Sequence, residues 1–91
     1  MAISVQIPAS MQSLTGGKSA IQADAANMRE LIGNIDNAFP GFRQHIIDDA
    51  GSIRKFVTIY LNDDDIRFLH GLDTALKPGD SVWIVPPIAG G

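Results

Sequence analysis

One segment in the first half of the chain has the spacing of an amphipathic helix, and it limits what the rest can fold into. Four apolar side chains share one face at the i, i+3, i+4, i+7 spacing: Met28, Leu31, Ile32 and Ile35. Asn27 has the side chain of an N-cap, and Glu30 follows three residues later, as in a capping box. Pro40 and Gly41 end the pattern. We therefore predict one main helix between them.

The segments on both sides of this helix have the composition of strands. Ile3, Val5 and Ile7 alternate with polar residues, and residues 19–23 form a weaker second strand. Residues 9–18 are expected to form the loop between these two strands. After the helix, residues 56–61 are β-branched and aromatic, residues 66–68 are predicted to form a short strand, and residues 81–85 form the last one.

This order of elements predicts an α+β fold in which one helix covers a mixed sheet of four to five strands. A helix that crosses a small sheet after a hairpin is the arrangement of the β-grasp, or ubiquitin-like, fold. In that fold the last strand lies in the centre of the sheet beside the first. We therefore expect a β-grasp domain over residues 1–85 and an extended tail over residues 86–91.

Composition limits the possible functions. The chain of 91 residues has no cysteine, which excludes disulfides, thiolate nucleophiles and cysteine-ligated zinc. Its net charge of −3 argues against nucleic acid as the main partner and favours a basic protein surface. The first residues have no signal-peptide pattern, and no apolar run is long enough to span a membrane. We expect a cytoplasmic protein with no membrane partner.

The last seven residues read VPPIAGG. Pro86 and Pro87 have no backbone N–H, so strand pairing is expected to stop there. Gly90 and Gly91 have no Cβ and fit a narrow channel. If a partner adenylates the Gly91 carboxylate, a sulfur nucleophile can displace AMP and leave a thiocarboxylate. The alternative is that the two glycines are only a frayed end or an expression scar.

The stretch VTIYLNDDDIRFLHGLDTALKPGDSVWIVPPIAGG, from Val57 to Gly91, resembles the ubiquitin-like sulfur carriers of the ThiS/MoaD family. Earlier, IPASMQSLTGGKSA and the helix from Asn27 resemble the branch that supplies sulfur for cysteine synthesis. The resemblance implies a β-grasp domain whose C-terminal Gly91 carries sulfide as a thiocarboxylate. It also implies that the rest of the tail enters a partner's active site: Pro86, Pro87, Ile88, Ala89 and Gly90.

The same resemblance implies a set of partners. An E1-like enzyme that uses ATP and magnesium would adenylate Gly91. The sulfur would pass to a pyridoxal-phosphate cysteine synthase, and a metal-dependent peptidase would release the product, with zinc among the cofactors that belong to partners. The chain itself is then expected to be no enzyme and to bind no cofactor or metal. Other functions stay open. The chain could be the small subunit of molybdopterin synthase, which acts with a large subunit, or a sulfur carrier of the thiamine pathway. It could also be a modifier joined to lysines through Gly91, or an inert interaction module.

Other residues allow two readings each. Phe68 and Leu69 are either an exposed docking patch for the activating enzyme or part of the core, and Arg67 either pairs with an acidic partner or lies on the surface. Trp83 and Tyr60 are expected to pack in the core or at the edge of the sheet. The run TGGKS is similar to a phosphate loop, but Gln12 stands where that motif needs a glycine, and no helix is predicted to follow. We therefore do not expect it to bind phosphate.

Overall fold

The computed structural model describes residues 2–55 and 57–86. In chain order its main elements are β1 (Ile3–Gln6), β2 (Ala20–Ala23), α1 (Met28–Ala38), β3 (Thr58–Leu61), β4 (Asp64–Asp65) and β5 (Ser81–Val85). Short 3₁₀ helices connect them: Ala9–Thr15, Arg43–His45, Ile66–Phe68 and Gly71–Asp73. Within the described ranges, no helix has the length and apolar character needed to cross a bilayer.

The five strands form one mixed sheet in the order β2-β1-β5-β3-β4. Strand β5 lies in the centre, parallel to β1 through Val5 and Val82 and antiparallel to β3 through Ile59 and Ile84. Strands β1 and β2 form the antiparallel hairpin at one side. This topology confirms the predicted β-grasp fold, including the position of the last strand beside the first.

Helix α1 begins where the sequence predicts. The Oδ1 atom of Asn27 accepts a hydrogen bond of 2.8 Å from the Glu30 backbone N–H. The Glu30 carboxylate reaches back to the N–H of Ala26 at 3.3 Å, one residue before the position expected in a capping box. These bonds satisfy backbone donors that the first turn leaves unpaired.

The core lies between α1 and one face of the sheet. Side chains at alternate positions of β1 and β5 point to this face and are buried, as are four residues of the helix: Met28, Leu31, Ile32 and Ile35. Phe42 and Ile46, on either side of the Arg43–His45 turn, extend the core beyond the end of the helix. Burial of such apolar side chains is the main favourable contribution to folding.

Two sequence predictions are wrong in detail. Residues 9–15 form a 3₁₀ helix rather than a loop, with buried Thr15 donating its hydroxyl to the carbonyls of Gln12 and Lys18 at 3.2 and 2.9 Å. Residues 66–68 form a 3₁₀ helix rather than a strand, because the Asp65 carboxylate accepts the Arg67 N–H at 2.9 Å and turns the chain. The short strand is instead Asp64–Asp65.

Candidate functional site

The tail begins at the end of the central strand. The backbone of β5 is paired with β3 as far as Val85, opposite Thr58. Pro86 follows directly, is half-buried, and is the last described residue. The predicted tail residues Pro87, Ile88, Ala89, Gly90 and Gly91 lie outside the described residues, so their roles stay predictions. The structure therefore shows that strand pairing ends directly before Pro86, where the predicted tail begins.

A groove of about 530 Å³ opens at this point. We call it the tail-root groove and define it by three apolar and three basic residues: Met11, Val57, Pro86, His45, Arg54 and Lys55. Met11 and Val57 are buried, whereas the three basic residues are exposed at the surface. The groove therefore joins an apolar surface to basic side chains directly beside Pro86.

Arg67 has a role within the fold that the sequence did not indicate. Its guanidinium donates to the backbone carbonyls of Arg54, at 3.1 Å, and Val57. It thereby links the Ile66–Phe68 turn to the segment that leads into β3 and lines the tail-root groove. The Arg67 side chain lies on the surface, and its contacts within the chain indicate a positioning role.

Phe68 and Leu69 are exposed, which decides between the two readings of these residues. Phe68 has 85% of its surface accessible to solvent and Leu69 has 39%. The core reading is therefore wrong for Phe68. Large apolar side chains at such exposure are candidates for a contact surface, and their use in docking stays a prediction.

A second exposed surface, on the open face of the sheet, was not found from the sequence. Trp83 and Val85 lie on the central strand but are 51% and 40% exposed. Tyr60 lies opposite Trp83 on β3 and is half-buried. The expectation of core or sheet-edge packing is thus wrong for Trp83. The period-two alternation of residues 81–85 was the available signal, since it places Val82 and Ile84 on the opposite face.

The other signals in the sequence mark no separate site. Gly16 and Gly17 have positive φ angles and lead into β2, so no helix follows the TGGKS run as a phosphate loop requires. The ring Nδ1 of His45 lies 3.0 Å from the carbonyl oxygen of Gly41. In the part of the chain that the structure describes, no group of three or more histidine or acidic residues has the arrangement of a metal site.

The fold and the central strand that leads into the tail define a ubiquitin-like protein. The profile of the ThiS family matches residues 5–91. The sulfur carrier protein CysO of Mycobacterium tuberculosis is 37% identical over 93 aligned positions, which cover the whole of both sequences. The chain therefore belongs to the ThiS family, as a CysO-like sulfur carrier.

Solved structures agree with this assignment. Mycobacterium tuberculosis CysO matches with a TM-score of 0.90 and 34% identity, over 94% of this chain and 99% of that one. A chain of the Amycolatopsis orientalis BexX/CysO complex matches with a TM-score of 0.94 and 32% identity, over 99% of this chain and 100% of its own length. The likeness therefore extends over nearly the entire domain.

Proposed function

We propose that this chain carries sulfur for cysteine biosynthesis as a thiocarboxylate on Gly91. One structural observation carries the proposal: the hydrogen-bonded central strand β5 ends directly at Pro86. A tail with its root in the centre of the sheet starts from a fixed position and direction. A partner can therefore bind the tail in its active site and contact the domain at the same time. The likeness to CysO supplies the pathway.

The proposed chemistry occurs on the partner and needs two steps. A carboxylate oxygen of Gly91 attacks the α-phosphorus of ATP and expels pyrophosphate, which gives an acyl adenylate. Hydrosulfide then attacks the carbonyl carbon and expels AMP, which leaves the thiocarboxylate and a proton. The slim Gly90 and Gly91 backbone suits this step, because no Cβ shields the carbonyl carbon.

The cofactors of the pathway are assigned to partner proteins. ATP and magnesium serve the E1-like enzyme, pyridoxal phosphate serves the sulfur-accepting synthase, and zinc serves the peptidase that releases the product. This chain is the substrate of these proteins and no catalyst itself. Its location in the cytoplasm stays a prediction.

We also propose that the open sheet face docks onto the activating enzyme. Trp83, Val85 and Tyr60 border a shallow depression of about 370 Å³, and Val85 adjoins the tail root. Among residues 2–55 and 57–86, Phe68 and Leu69 are the other large apolar residues that are exposed. Exposed aromatic side chains are frequent binding hot spots at protein interfaces.

The test is intact-mass analysis after incubation with ATP, a sulfide source and the E1-like enzyme of the same organism. We expect a mass gain equal to the exchange of one oxygen for one sulfur. A variant that lacks Gly91 is the matched control and should keep its mass and its fold, because Gly91 follows the domain. An unchanged wild-type mass would refute the proposal, and an adduct on lysines of other proteins would indicate a modifier instead.

A further inference from the structure

The short stretch of chain between Pro86 and Gly91 limits where a partner that reacts with Gly91 can lie. Gly91 is the fifth residue after Pro86, and five residues of fully extended chain cover at most about 18 Å. The shortest dimension of the domain is 24 Å. A partner that reacts with Gly91 therefore has to lie against the end of the domain from which the tail leaves.

The tail-root groove is part of that end. Its apolar surface comes from Met11, Val57 and Pro86, and its basic side chains come from Arg54, Lys55 and His45. Among the described residues that line it there is no carboxylate. The groove thus combines an apolar contact surface with charge of one sign.

Charge is distributed unevenly over the domain. The acidic run Asp63–Asp65 lies at the far end of β3, where Asp64 pairs with Leu61. Val57 and the basic groove lie at the other end of the same strand. A net charge of −3 is therefore compatible with a basic region in the tail-root groove.

We propose that the tail-root groove binds an acidic segment at the rim of the partner's active-site entrance. An apolar side chain of that segment packs against Met11, Val57 and Pro86, and neighbouring carboxylates face Arg54 at the edge of the groove. The inference rests on the proposed function, since the tail has to enter the partner for this contact to form. It assigns a second docking surface, separate from the open sheet face around Trp83.

A protein segment fits this groove better than a nucleotide or a free phosphate. The groove is open and largely apolar, and the buried part of its wall offers no polar side chain to hold a phosphate. Arg54 donates its Nε–H to the Gln44 carbonyl at 2.6 Å, so its guanidinium is held at the edge of the groove. Side chains held at a rim mainly steer association and set specificity.

Charge reversal tests the proposal. We expect Arg54→Glu to raise the KM for the carrier about tenfold in ATP–pyrophosphate exchange by the E1-like enzyme, with kcat nearly unchanged. Higher ionic strength should reduce the difference, because salt screens exposed charges. Lys77→Glu reverses one positive charge in the turn before β5, at the opposite end of this strand from Pro86, and is the matched control. A KM shift no larger than that of the control would overturn the proposal.

Arg54→Lys separates charge from structure. It removes the bond to Gln44 but keeps the positive charge, so its KM should stay near the wild-type value. A KM as high as that of Arg54→Glu would show that Arg54 acts by holding its loop, which would also overturn the proposal. Circular dichroism on each variant checks that the domain is folded.

A titration that needs no enzyme keeps this inference separate from the proposed function. Labelled wild-type protein is titrated with a short peptide in which leucine is flanked by glutamate and aspartate, and then with its glutamine and asparagine counterpart. We expect amide shifts at Met11, Arg54 and Val57 that are larger with the acidic peptide. Equal shifts with both peptides, or no shifts at the groove, would overturn the groove assignment even if Gly91 is adenylated.

Discussion

Gly33 lowers the stability of helix α1, and replacing it with alanine is expected to raise that stability. It lies in the interior of the helix, and an alanine Cβ at this position would have no neighbouring atom within 4 Å. Glycine loses more backbone freedom on folding than alanine. Because no clash opposes the change, we expect Gly33→Ala to raise the free energy of unfolding by about 0.8 kcal/mol.

Gly79 is the matched control, because its surroundings are equally open but its backbone differs. An alanine Cβ at Gly79 would likewise meet no atom within 4 Å, yet the φ angle there is +92°. Alanine in a left-handed conformation costs about 1–2 kcal/mol, and the loss of unfolded-state freedom returns only part of this. We expect Gly79→Ala to lower the free energy of unfolding by about 1 kcal/mol.

Urea unfolding and thermal melting of the two variants measure these changes. For a domain of this size a change of 1 kcal/mol moves Tm by about 4–8 °C, so the two variants should shift in opposite directions. An equal urea m-value would show that the unfolded states are comparable. Shifts of the same sign would refute the reasoning, since the φ angle is what sets the expected sign at each site.

Three further predictions concern stability at Asn27 and at Arg67 and docking at Trp83. Asn27→Ala should lower the unfolding free energy by about 1 kcal/mol in urea, because the Glu30 N–H loses its acceptor, whereas Asn27→Asp should not. Arg67→Ala should lower it by about 1 kcal/mol, because two backbone carbonyls lose their donor, while Phe68→Ala at an exposed position should leave it unchanged. Trp83→Ser should raise KM in pyrophosphate exchange about tenfold with a small change in Tm, and an unchanged KM would contradict docking through the sheet face.

Apolar periodicity was sufficient to predict the main elements. The helical spacing from Met28 to Ile35 and the alternation from Ile3 to Ile7 each produce one buried face, which the structure confirms. Periodicity works here because each element buries only one side. With these two elements and the last strand in place, few topologies other than the β-grasp remain.

Periodicity failed where single polar side chains decide the backbone. The 3₁₀ helix at Ala9–Thr15 is closed by the Thr15 hydroxyl, and the one at Ile66–Phe68 begins with the Asp65 carboxylate. Such local bonds compete with strand pairing and leave no repeating pattern in the sequence. The prediction that Trp83 packs in the core or at the sheet edge failed for another reason. Alternation defines the two faces of a strand, but only the tertiary fold decides which face the helix covers.

The tail-root groove was beyond sequence reasoning because four separate segments form it, around Met11, at His45, around Arg54 and at Pro86. The net charge of −3 predicted a basic partner surface. A docking partner, however, responds to charges within about a Debye length, roughly 10 Å at 0.1 M salt. Leu61, the strand partner of Asp64, lies four residues from Val57, or about 13 Å at about 3.3 Å per residue, so Asp64 contributes little at the groove. The sign of the local charge, and hence the acidic partner segment, follows from the fold and not from the composition.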